Sequence, residues 1–297
     1  MNSIFLGLFS IILIFNTYCS QNKIDLIKND NDVFTFIQQF FATDKLNNSF
    51  EKYYNETIHV ADSLQVKRWV KVDLDNNGET DLLLFRANGL PKVLAILSFK
   101  EKYFPVIANY HPCKYQFIYP ITKLINRQNV ILLYSQNQTG YNDLNRHFTY
   151  TDIICDTLIV RDSLFLNYPQ KRRTYNFEKI EFKNDGMCEG NCPKINVSMD
   201  PNKFTSSCSK TLYWDSNPTS YFGTLKKEQI EKIVTILNYS NFVDFKNEYE
   251  VGCTDQTTST LTITYNNGNT KTIQDYGSSG NFTLKEIYNV LYSIEWK

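Results

Sequence analysis

This sequence predicts an α+β fold in two units, each an antiparallel sheet with one or two packed helices. Three observations predict it. Short strand-length apolar runs broken by Asn-Gly turns extend from Arg68 to about Leu166; a second set of such runs follows Tyr175; and residues with helical spacing occur in both regions. Hydrophobic residues make up 42% and aromatic residues 15% of the 297 positions, enough apolar side chains for the cores of about two domains.

The elements can be justified in order. The apolar run Ile4–Phe15 is too short to span a bilayer as a helix and has the length of an export-signal core. Residues 1–20 are therefore expected to be a signal peptide. Cys19 is a candidate for lipidation, although Tyr18 stands where a lipoprotein signal has a small residue. Ordinary cleavage near Cys19 or Ser20 is the rival expectation. Val33, Phe36, Ile37 and Phe40 then recur at helical spacing behind a cap at Asp30 or Asn31.

Six strands are expected next: Trp69–Leu74, Asp81–Arg86, Lys92–Phe99, Phe104–Tyr110, Val130–Tyr134 and Thr157–Leu166. The turns at Asn77-Gly78 and Asn88-Gly89 make the first three a meander. This N-terminal α+β domain, residues 21–174, ends in the polar basic stretch Gln170–Arg173.

The C-terminal unit, residues 175–297, reads as strands Lys179–Phe182, Lys194–Met199, Lys210–Trp214, Ser259–Tyr265 and Thr270–Tyr276. A helix at Lys226–Leu237 sets Ile230, Ile233, Val234 and Leu237 on one stripe. Thr283-Leu284-Lys285-Glu286 opens the last helix as a capping box. Hairpin register follows from side-chain alternation. A two-residue turn at Asn267-Gly268 would set Leu261 and Ile263 against Gln274 and Thr272. A three-residue loop with Gly268 left-handed instead sets Leu261 opposite Ile273, which keeps apolar residues on one face. Asp275 then shares the face of Ile273, and a carboxylate there needs a partner.

Lys+Arg and Asp+Glu both number 31, so no net field attracts nucleic acid or an anionic membrane. The expected partner is an envelope ligand or protein, not nucleic acid, with membrane association only through a lipid anchor at Cys19. Setting Cys19 aside leaves six of the seven cysteines: Cys113, Cys155, Cys188, Cys192, Cys208 and Cys253. In an oxidising compartment an even set favours structural disulfides, with 15 possible connectivities.

Two patterns carry chemistry. In Asp73-Leu74-Asp75-Asn76-Asn77-Gly78-Glu79-Thr80-Asp81, the oxygens of Asp73, Asp75, Asn77, Glu79 and Asp81 can wrap a hard cation, and Gly78 permits the bend. The loop resembles the short calcium loops of FG-GAP-type repeats. Leu84 occupies the place of an EF-hand's bidentate Glu, and strands rather than helices flank the loop. A structural Ca2+ is one reading; an acid-dressed Asn-Gly turn is the other. In Cys188-Glu189-Gly190-Asn191-Cys192-Pro193, the spacing lets the two sulfurs meet in a small loop. A zinc site would need Cys208 and Cys253 as well.

The C-terminal unit resembles a family of uncharacterised bacterial domains, DUF6438, by its C-x-G-x-C-P segment Cys188–Pro193. The matches continue with the helix at Leu225–Leu237, Phe242–Phe245, Thr254-Asp255-Gln256-Thr257-Thr258, Asp275-Tyr276-Gly277 and the last helix. Gln256-Thr257 departs from the family's more usual Leu-Pro. Asp275-Tyr276-Gly277-Ser278 lacks a second aromatic and a proline. Such domains look like exported or lipid-anchored modules, commonly from Bacteroidota. The resemblance implies a location and a fold neighbourhood, and no reaction.

The chain is thus expected in the periplasm or at the outer membrane and cell surface, as a non-catalytic module that binds a ligand or protein. Asp255 and Asp275, at the open end of the predicted hairpin, are its candidate ligand-binding residues. A hydrolase of envelope polymers using this same pair is the alternative, and an inhibitor-like domain acting on a periplasmic enzyme is a third. The sequence contains no phosphate-binding glycine loop, nucleophile elbow or zincin helix.

Overall fold

The computed structural model describes residues 22–41, 58–88, 90–108, 115–142, 147–169, 171, 173–190, 192–214, 217–278 and 280–297. Cys19 and Cys113 lie outside these residues. The architecture is mainly antiparallel β with a few helices, so the α+β class holds in its coarse form. The strands form three sheets, not the two that two units would give. No helix among the described residues is long and apolar enough to cross a membrane.

The first sheet runs in order β1 (Trp69–Val72), β2 (Asp81–Asn88), β3 (Leu90–Phe99), β4 (Lys102–Ala108). Its alternating side chains bury both faces. Leu82, Leu84, Leu94 and Ile96 pack against Ile24, Ile27 and the helix α1 (Asp30–Ile37), which presents Val33, Phe36 and Ile37. Leu83, Phe85, Val93, Ala95 and Leu97 face the second sheet, joined by Ala61 of α2 (Ile58–Ser63). The cap of α1 is Asn29, one residue before the expected positions. Its side chain accepts the Asp32 N–H, and its backbone N–H donates to the Asp32 carboxylate, which completes a capping box.

The second sheet is β5 (Tyr115–Ile125), β6 (Gln128–Asn142), β7 (His147–Arg161), β8 (Leu164–Asn167). The expected single strand Thr157–Leu166 is the β7–β8 hairpin, turned at Asp162 and Ser163, both left-handed. β5 has no counterpart among the sequence-based expectations. Pro120 interrupts its pattern and is tolerated because β5 is an edge strand.

The third sheet has seven strands in order β12-β11-β10-β9-β14-β15-β13. They are β9 (Phe177–Asn184), β10 (Lys194–Asp200), β11 (Thr205–Trp214), β12 (Asn217–Gly223), β13 (Glu248–Tyr249), β14 (Thr258–Tyr265) and β15 (Asn269–Tyr276). All pairings are antiparallel except the short β13–β15 pair. The β14–β15 hairpin sets Leu261 opposite Ile273, with Asn266, Asn267 and Gly268 all at positive φ in the loop. This is the bulged register expected from alternation. One face of the sheet is covered by α3 (Lys227–Ser240) and α4 (Phe282–Tyr292). Ile230, Ile233, Ile236 and Leu237 are the buried stripe of α3, and Leu284, Ile287, Tyr288 and Leu291 that of α4. The cap of α4 is Asn281, whose side chain accepts the Leu284 N–H; Thr283 already lies inside the helix.

The helices α3 and α4 also touch the second sheet, so the hydrophobic core does not divide at residue 174. Val130, Ile159 and Leu166 belong to the same buried cluster as the third sheet and its helices, while Phe282 of α4 joins the core between the first two sheets. The order of layers is α1, first sheet, second sheet, α3 with α4, third sheet.

Candidate functional site

Two places combine a constrained backbone with polar side chains. The first is the loop joining β1 to β2. Its residues adopt Asx-turn geometry: Asp73 accepts the Asn77 N–H at 3.1 Å and the Gly78 N–H at 3.0 Å, and Asn77 accepts the Glu79 N–H at 2.7 Å. Gly78 takes φ +89°, a conformation open to glycine at no steric cost. These turns bring the carboxylates of Asp73, Asp75 and Asp81 together, with ligand oxygens within 4.8 Å of one another.

Asp81 is the anchor of this group. It is fully buried, and its two oxygens accept the N–H groups of Leu74 at 2.7 Å and Ser98 at 2.8 Å. Burial, reinforced by the charges of Asp75 and Asp73, outweighs those amides and raises its pKa to about 7. The Asp75 carboxyl is also pushed up, mainly by burial. A carboxylate held this way favours a compensating cation, and the donor set is all hard oxygen, which suits Ca2+.

Two residues of the expected ligand set behave differently. Glu79 turns away: its carboxylate accepts the Lys100 N–H at 2.8 Å and the Ser98 hydroxyl at 2.7 Å. Those two bonds, the Lys100 amide foremost, lower its pKa. Asn77 commits its amide nitrogen to the Ser98 carbonyl at 2.7 Å and to Asp75 at 3.3 Å. The loop is thereby tied to the β3–β4 turn. Asn129 of β6 reaches the Asp73 carbonyl at 2.7 Å and ties it to the second sheet as well.

The second place lies at one end of the third sheet, where the chain leaves β9 and later enters β14. Asp185 joins the two segments: its carboxylate accepts the N–H groups of Met187 at 3.0 Å and Thr258 at 3.1 Å. Asn184 adds bonds to Thr257 at 3.0 Å and Ser259 at 3.2 Å. Between these segments opens a cleft of about 580 Å³ lined by Met187, Cys188, Glu189, Asp255, Gln256 and Tyr276. Cys188, one of these residues, forms a disulfide with Cys192, with Cα atoms 5.9 Å apart, a separation ordinary for such bonds. Gly277 follows Tyr276 at φ +85°, where a Cβ would lie 2.5 Å from the Val251 side chain. Glycine therefore lets the β15 exit pack closely against Val251.

Asp255 and Asp275 lie in different environments. Asp255 is exposed on the cleft, its carboxylate accepting the Thr254 hydroxyl at 3.0 Å. Asp275 is fully buried on the helix-covered face, where it accepts the Gly280 N–H at 2.8 Å. Tyr276, the next residue, points to the opposite side of the strand, and its hydroxyl accepts the Gln256 N–H at 3.1 Å. The buried Tyr288 hydroxyl near Asp275 is held well above the ordinary tyrosine pKa, by burial first and by the Asp275 charge second.

Of the other cysteine candidates, Cys208 is buried and Cys155 exposed, and neither forms a disulfide among the described residues. Desolvation raises both thiols, so neither has the low pKa of a reactive cysteine. Cys253 is part-buried and is not disulfide-bonded to Cys208, and no zinc-type grouping of Cys208 and Cys253 with the Cys188–Cys192 pair occurs. Sequence reasoning missed Met187, Glu189, Gln256 and Tyr276 as cleft residues. The cysteine ring and the Asp275-Tyr276-Gly277 step were visible, but nothing local told that they meet.

Residues 178–295 match the family model described as a domain of unknown function, DUF6438. A search of curated proteins and a search of solved structures each found no match.

Proposed function

We propose that this chain is an exported envelope protein that acts as a non-catalytic binding module, using the cleft beside the Cys188–Cys192 ring. The observation that carries this reading is the contrast between the two candidate carboxylates, Asp255 exposed on the cleft and Asp275 fully buried. An exposed carboxylate on an open cleft suits recognition. Hydrolysis by paired carboxylates needs both to reach one substrate bond, and Asp275 is enclosed among Gly280, Leu284 and Tyr288. The non-catalytic reading is therefore favoured over the hydrolase.

Calcium is proposed as a structural ion of the β1–β2 loop, held by Asp73, Asp75 and Asp81. Its role is to neutralise three converging carboxylates and fix the loop against the β3–β4 turn. Export supplies the compartment in which calcium is abundant and the Cys188–Cys192 bond persists. The sequence boundary at residues 174 and 175, across which the core is continuous, separates the unit that carries the cleft from the N-terminal part; anchoring through a lipid at Cys19 would place the module on a membrane surface.

The test is to mix the full chain with isolated cell-wall polymer and with solubilised envelope proteins, measuring retention by co-sedimentation and soluble products by mass spectrometry. Retention without product, weakened by Asp255→Asn, is the expected result. Steady product release would overturn the non-catalytic reading.

A further inference from the structure

We propose that the cleft receives a cationic side chain, arginine or lysine, from a partner polypeptide. This inference rests on the reading of the chain as a binding module and names what the module binds. Three features of the cleft point the same way. Two of its six lining residues, Glu189 and Asp255, are carboxylates, both exposed, and no lining residue is basic. The whole chain balances 31 basic against 31 acidic residues, so this local excess of negative charge does not follow from composition. An aromatic ring, Tyr276, lines the cleft, and its face attracts a guanidinium or ammonium group. Met187 is 74% exposed at the rim, and its thioether offers apolar contact to the methylene stem of a long side chain.

The shape argues for a side chain borne on a polymer. The cleft is open to solvent, and its walls come from two loops and the end of β15. A free small cation would remain largely hydrated there, whereas a polypeptide can lay its backbone across the rim and insert one side chain. The walls are fixed beforehand: Asp185 holds both segments, and the disulfide closes the ring that carries Glu189. Such preorganisation lowers the ordering cost of binding.

The experiment uses the full chain and blocked tripeptide amides of the form Gly-X-Gly, where X is arginine, lysine, citrulline or glutamate, followed by titration calorimetry or NMR shift perturbation. The arginine and lysine probes should bind saturably and lose affinity as salt rises. The citrulline probe, which keeps the shape and loses the charge, should bind about tenfold more weakly. The double variant Glu189→Gln/Asp255→Asn should lose the preference for arginine over citrulline while its melting temperature stays unchanged. Equal binding of arginine and citrulline, or binding untouched by the double variant, overturns the cationic assignment. Free arginine amide binding as tightly as the tripeptide overturns the polypeptide source. Cleavage of any probe overturns the binding-module reading, separately from its charge preference.

Discussion

Asn167 and Thr283, 116 positions apart, exchange two hydrogen bonds: the Asn167 N–H donates to the Thr283 hydroxyl at 2.9 Å, and the Thr283 N–H donates to the Asn167 side-chain oxygen at 3.1 Å. The pair links the last strand of the second sheet to the first turn of α4. It satisfies one of the free N–H groups at that helix terminus from outside the helix. Thr283 is fully buried, so water cannot substitute for either bond.

Replacing Thr283 by valine keeps the shape and removes the acceptor of the Asn167 amide. The expected cost is about 1 kcal/mol, that of losing one part-buried hydrogen bond. Urea denaturation followed by tryptophan fluorescence and by far-UV circular dichroism should show a lower midpoint with the two signals still coincident, because the core crosses the junction. Separate transitions for the two halves would refute this coupling.

The calcium ion proposed for the β1–β2 loop should make stability depend on calcium and pH together. In calcium-free protein the folded pKa of Asp81 lies at about 7, above the unfolded carboxylate value, so the folded state holds the extra proton between those limits. Its contribution is full below about pH 4 and is lost as pH rises through about 7. Calcium competes with that proton. At pH 7.5, calcium at a few times its dissociation constant should stabilise the protein by about 1 kcal/mol, and the gain should shrink towards pH 5. Thermal melts with calcium and with chelator, at both pH values, check this. Asp81→Asn should remove the difference between them.

Much of the third sheet was legible before the structure, for reasons that can be located. The period-two alternation in Leu261, Ile263 and Ile273 chose between two hairpin registers, since a one-residue slip would have turned one strand's apolar side to water. The α3 stripe was equally plain. The caps of α1 and α4 were displaced to Asn29 and Asn281 because several residues near each terminus could have served, and tertiary demand chose among them: Thr283 is taken by Asn167. The split of the N-terminal half into two sheets was hidden because alternation reports which side of a strand is buried, not what buries it. Strand β5 was hidden by Pro120, β13 by its length of two residues. In the β1–β2 loop, spacing marked Asp73, Asp75 and Asp81 as neighbours. It could not tell that Glu79 would be drawn off by the β3–β4 turn, a contact 19 to 21 positions away.

The cysteines should differ in reactivity in a fixed order. Cys155 should be alkylated in the native state, and Cys208 after unfolding; Cys188 and Cys192 should be modified only after reduction. Because their sequence separation is 4, breaking the bond should cost at most about 2 kcal/mol by the loop-closure relation. Intact mass after staged alkylation checks the order, and a urea midpoint of the Cys188→Ser/Cys192→Ser variant checks the cost.

The two aspartates first paired on sequence grounds should have opposite phenotypes. Asp275→Ala strips the acceptor from the buried Gly280 N–H and leaves a void beside Leu284 and Tyr288, so it should lower stability by about 1–3 kcal/mol. Relieved of a neighbouring negative charge, Tyr288 should also ionise at a lower pH in that variant, readable by ultraviolet titration wherever the fold survives. Asp255→Ala, exposed on the cleft, should leave unfolding stability within about 0.5 kcal/mol of the parent and weaken capture of cationic peptide. Loss of peptide capture in a stably folded Asp275→Asn protein, with Asp255→Ala silent, would mean that the buried face of β15 carries the ligand contact, and that the recognition surface lies under α4.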